Sequence, residues 1–94
     1  NNSITLMGCN LRFHPCIKKI RELILKKKIG NIISVKVENG SYLPDWHPEE
    51  DYSSSYAARK TLGGGVVLTM IHELDYLMWF FGNVNDVFSI TGKF

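Results

Sequence analysis

Thr69, His72, Asp75, Tyr76 and Trp79 are spaced so that a helix turning about 100° per residue would carry them in one sector. Their types could do proton chemistry, because imidazole gives and takes a proton near neutral pH and a neighbouring carboxylate or hydroxyl can orient the ring. Val67, Met70, Ile71, Leu74, Leu77 and Phe81 supply the apolar remainder of that helix. Gly63-Gly64-Gly65 leads into it. Three glycines permit backbone conformations closed to other residues and let a ligand approach the helix start, where free amides favour anions. On residue types alone two readings stand: a catalytic histidine, and a histidine satisfied within the core, the commoner fate of a lone histidine on an apolar helix.

Other chemistries find less support. His72-Glu73-Leu74-Asp75-Tyr76 begins like a zinc-protease pattern, but Tyr76 stands where the second histidine is required, so no metal is expected. No Gly-x-Ser-x-Gly elbow occurs, and Ser53-Ser54-Ser55 sits in a polar stretch. Lys18, Lys19, Arg21, Lys26, Lys27 and Lys28 cluster in one segment, yet the net charge is only +2 and no nucleic-acid motif accompanies them. They read as a solvated helix face, with no nucleic-acid partner. The longest apolar run, residues 63–81, is interrupted by His72, Glu73 and Asp75, which makes it a buried helix and not a membrane span. Cys9 and Cys16 lack the C-x-x-C spacing and are expected to be reduced thiols. Asn1-Asn2-Ser3 shows no secretory pattern, and the expected location is cytoplasmic.

The elements that must position these groups follow from pattern. With 94 residues, 45% of them hydrophobic and 12% aromatic, the chain has ordinary folded composition and room for a thin core. Pro15, followed by Ile17, Ile20, Leu23 and Ile24, predicts an amphipathic helix over 14–28 that Gly30 ends. Residues 32–38 alternate apolar and polar side chains with β-branching, as a half-buried strand does. Residues 3–9 and 84–94 also read as strands, so the chain is expected to be a piece of a longer protein. Residues 41–62 form a long irregular excursion with a helical turn near 54–60, of a length that is usually functional or disordered.

The succession Gly8-Cys9-Asn10-Leu11-Arg12-Phe13-His14-Pro15, a helix, Ile29-Gly30-Asn31-Ile32-Ile33-Ser34-Val35, then Gly63-Gly64-Gly65 leading to His72-Glu73-Leu74-Asp75-Tyr76 resembles the Gfo/Idh/MocA oxidoreductases, relatives of glucose-fructose oxidoreductase and inositol dehydrogenase. The similarity extends over nearly the whole chain. It implies an α+β fold, with helices packed on an open, mainly antiparallel sheet. Residues 1–13 would be the last Rossmann strand and crossover, and 14–94 a truncated C-terminal substrate and oligomerisation domain. The Rossmann half would be largely missing.

The implied activity is hydride transfer between NAD or NADP and a hydroxyl or carbonyl of a sugar, cyclitol or sugar derivative. By the match to the glycine-led motif, His72 would be the catalytic group beside the reacting carbon. Asn10 and Arg12 would lie at the cofactor cleft. Trp46, His47, Tyr56, Arg59 and Lys60 fall where relatives place substrate contacts, with Tyr52 among them, and Asp75 is counted on the substrate side. Rings can stack on a sugar, and Arg59 or Lys60 could hold a carboxylate or phosphate. Many members carry an aspartate one turn before the histidine, where Leu68 and Thr69 stand here. The chain also contains no Gly-x-Gly-x-x-Gly and no Glu-Lys-Pro, so it is expected to be inactive alone. The resemblance further implies a homo-oligomer built through the open sheet face around Val84, Val87, Phe88 and Ile90. The rival reading is a non-catalytic binding or assembly module of the same fold.

Overall fold

The computed structural model describes residues 2–92. Helix α1 covers Pro15–Leu25. It starts where proline needs no hydrogen-bond acceptor for an amide it lacks, and where the His14 ring Nδ1 accepts the Cys16 amide at 3.3 Å. Glu22 takes a bond from Lys19 at 2.9 Å, one turn before it, and from Lys26 at 2.7 Å, one turn after. These two ammonium groups pull its carboxyl down to about 2. The helix expected over 14–28 is present but stops at Leu25, because closure comes earlier than Gly30. Lys27 adopts φ 51°, the Lys28 amide reaches back to the Leu23 carbonyl at 2.9 Å, and the Lys27 amide reaches Ile24 at 3.0 Å. This is a Schellman closure with lysine in the position that glycine usually takes.

Residues 43–62 fold as four short 3-10 turns, at Leu43–Asp45, Tyr52–Ser54, Tyr56–Ala58 and Lys60–Leu62. Side chains cap two of them: Asp51 accepts from the Ser53 amide at 3.0 Å, and Ser55 from the Ala57 amide at 3.3 Å. The excursion is therefore locally ordered, including the stretch expected to turn near 54–60.

Its far end fixes the glycines. A Cβ on Gly64 would lie 2.1 Å from the Tyr56 carbonyl oxygen and 2.6 Å from that of Ala57, so only glycine lets the two backbone stretches meet. Gly65 follows at φ 108°, its amide donating to Ala57 at 3.0 Å. The single helix expected from this point is two. Helix α2 covers Val66–Thr69 and α3 covers Ile71–Phe81, separated at Met70, which has φ −105° and ψ 40°. The direction of α2 is set by its tie to Ala57, and that of α3 by its packing against α1, so the chain bends between them.

The expected sheet is not formed: among the described residues there is no strand, and the α+β reading is corrected accordingly. Residues 3–9, 32–38 and the described part of 84–94 lie outside the helices and enter no ladder. Alternating side chains prepare a segment for a ladder, but a strand exists only when a second segment takes its amides and carbonyls. The cost is visible at Ile4, Leu6, Val87, Phe88 and Ile90, whose side chains are almost wholly exposed. The radius of gyration is 16.6 Å, against about 12 Å for a compact chain of this length. Only Ala57 is buried among the described hydrophobic residues. No described helix is long and apolar enough to cross a membrane.

The most ordered packing is a corner where the 3-10 turn Asn10–Phe13, α1 and α3 meet. Trp79 of α3 lies there beneath two guanidinium groups, that of Arg21 at 4.5 Å from its ring centre and that of Arg12 at 5.7 Å.

Candidate functional site

At that corner Arg12 grips Asp75. Its Nε donates to Oδ2 at 2.8 Å and its Nη2 to Oδ1 at 2.5 Å, a two-pronged pair between residues 63 positions apart. The Asp75 side chain is 11% exposed, and that of Arg12 40%. The guanidinium holds the Asp75 carboxyl below the ordinary carboxylate range, with smaller help from Cys9 and the nearby His72. The same carboxylate pushes the Cys9 thiol up, so Cys9 is a poor nucleophile; it and Cys16 are free thiols. Among the expected site residues, Arg12 and Asp75 thus come together, and His72 lies one helical turn from Asp75 on α3.

Val66, Thr69 and Met70, ahead of α3, border a pocket of about 200 Å³, whose lining includes Asn39, Ser41, Trp46, Ala57 and Gly65. Trp46 Nε1 donates to Ser41 Oγ, which fixes the indole in its wall. Asn39 Nδ2 donates to Glu73 Oε1 at 2.8 Å. Thr69 Oγ1 of the pocket lining is buried without a hydrogen-bond partner, as are His72 Nδ1 and Glu73 Oε2, which do not line this pocket. They stand at positions i, i+3 and i+4, on either side of the bend at Met70. Burying an unpaired polar atom costs about 1–3 kcal/mol, which makes each of these positions a costly one.

The other expected residues are placed elsewhere. His47, Tyr56, Lys60 and Asn10 are exposed. Arg59 donates from Nε to the Ser53 carbonyl at 2.9 Å, and Tyr52 is exposed. None of them lines the pocket of Trp46. Conversely, Asn39, Ser41 and Glu73 were not expected. Asn39 and Ser41 sit in a stretch without periodicity, and Glu73 reads as one more polar residue on an apolar helix. Among the described residues no group of three or more His, Cys, Asp or Glu is placed to hold a metal ion.

The chain is similar to known proteins along most of its length. No solved structure matches it significantly. It is 32% identical over 81 residues to "Putative oxidoreductase YteT" of Bacillus subtilis (strain 168), a match that covers 85% of this chain and 18% of that relative. Residues 17–94 match the GFO/IDH/MocA C-terminal domain, a span that holds all but the first two residues of α1, the Trp46 pocket, His72 and Asp75. The chain therefore belongs to the GFO/IDH/MocA family, through its C-terminal domain.

Proposed function

We propose that this chain supplies the substrate-handling part of an NAD(P)-dependent oxidoreductase that acts on a hydroxyl or carbonyl of a sugar, cyclitol or sugar derivative. The observation that carries the reading is the family match over residues 17–94, which holds His72, whose buried Nδ1 has no hydrogen-bond partner within the chain. The His72 imidazole would accept a hydrogen bond from a substrate hydroxyl and take the proton as that carbon is oxidised. Asp75 lies one turn away, and Arg12 holds its carboxylate still.

The residues of this chain do not fit the dinucleotide itself. Its sequence contains no Gly-x-Gly-x-x-Gly, and two nitrogens of Arg12 are committed to Asp75. The cofactor would supply the hydride acceptor, and no step of it is assigned to these residues. A cytoplasmic setting goes with this reading; free Cys9 and Cys16 support it, since thiols persist in a reducing compartment.

The test is His72→Ala in the whole protein. Turnover should fall by about 10²- to 10⁴-fold, the usual worth of a positioned acid–base group, with cofactor affinity unchanged. Equal turnover would remove His72 from the reaction and favour a binding or assembly module.

A further inference from the structure

We infer that Arg12 is a positioning residue for His72: through its fork on Asp75 it fixes the first turns of α3, and with them the imidazole. The inference rests on the proposed role of His72 and adds the residue that holds it in place.

His72 is the second residue of α3, in a turn that its own segment secures poorly. The chain bends at Met70, with φ −105° and ψ 40°, so α2 does not continue into α3, and no side chain caps the new helix. A helix start without a cap leaves amides to water and frays readily. Among the described residues two long-range ties reach this start. The bond from Asn39 to Glu73 is a single contact open to water. The pair of bonds from Arg12 goes to Asp75, three residues after His72 and so a neighbour on the helix surface, with the carboxylate largely shielded.

Two parallel bonds fix the angle of a carboxylate as well as its distance. The same guanidinium lies 5.7 Å from the ring centre of Trp79, four residues beyond Asp75. Arg12 thus meets two successive turns of one stripe, and it sets both the rotation and the height of α3 from 63 positions away. Lysine at position 12 would keep the attraction as a point charge and let the helix turn beneath it. His72, one turn back, would move with the helix.

The experiment uses the whole protein with NAD and NADP against neutral hexoses, pentoses and cyclitols, and against uronic acids and sugar phosphates, and follows the compound oxidised fastest. Arg12→Lys should lower kcat about 10- to 100-fold, the cost of a misplaced reacting group, with KM for substrate and cofactor nearly unchanged. Asp75→Asn should do the same. The double variant should be no slower than the slower single one, because each removes the same interaction. Arg21→Gln, which takes the other guanidinium from Trp79 and leaves Asp75 alone, should keep the wild-type kcat. That variant separates positioning of His72 from a general loosening of the corner.

Unchanged kcat in Arg12→Lys, with His72→Ala still slow, would overturn the inference and leave the oxidoreductase reading standing. So would a rise in cofactor KM alone, which would make Arg12 a cofactor contact, or losses that multiply in the double variant, or an equal fall in Arg21→Gln. If His72→Ala turns over as fast as the wild type, or if no compound supports cofactor reduction, both readings fall.

Discussion

Arg12 and Asp75 show how one pair of side chains ties the start of the chain to its last helix. Both carboxylate oxygens are taken, and the pair is shielded on the Asp75 side. Replacing Arg12 by lysine keeps the charge and loses the fork, and should lower the midpoint of chemical denaturation only modestly, because the arginine is partly in water. The pair also sets a pH dependence. Folding lowers the Asp75 carboxyl below its ordinary range, so its stabilisation is complete above that range and is lost as the pH falls through the lowered value. The wild type should therefore exceed Asp75→Asn in stability at neutral pH, with the gap closing at the acid end. A gap independent of pH would mean that the ion pair is not its source.

Among the elements, α1 carries its own strain. Lysine at φ 51° closes the helix where glycine fits without a Cβ penalty. Lys27→Gly should stabilise the protein by about 1 kcal/mol, read as a higher denaturation midpoint. A lower midpoint would show that the Lys27 side chain has a compensating contact. The glycine run has the opposite character. Gly64 serves the chain's own packing, by admitting the Tyr56 and Ala57 carbonyls, and Gly65 serves both the turn and the pocket wall. A run that reads in sequence as an opening for a ligand is in large part a joint between a loop and a helix.

Across the whole molecule, exposed surface dominates. The accessible area is 8689 Å², against about 5,500 Å² for a compact protein of this mass. Much of the excess lies on segments outside the helices that carry exposed Ile, Leu, Val and Phe. Apolar surface of this kind drives association, so the 94-residue chain by itself should bind a hydrophobic dye and scatter light as more than a monomer. A monodisperse, dye-silent monomer would contradict the open packing.

Local pattern alone determined much of this: the place of α1, from Pro15 and the spacing of its isoleucines; the His72–Asp75 stripe, from helical spacing; and the family, from motifs in order along the chain. Helical spacing is legible because a helix makes its hydrogen bonds within one segment. Strand pairing, the grip of Arg12 on Asp75, the bend at Met70, and the meeting of Asn39 with Glu73 were decided only in three dimensions. Each needs a partner far away in sequence, and alternation, charge or polarity at one position does not say whether that partner arrives.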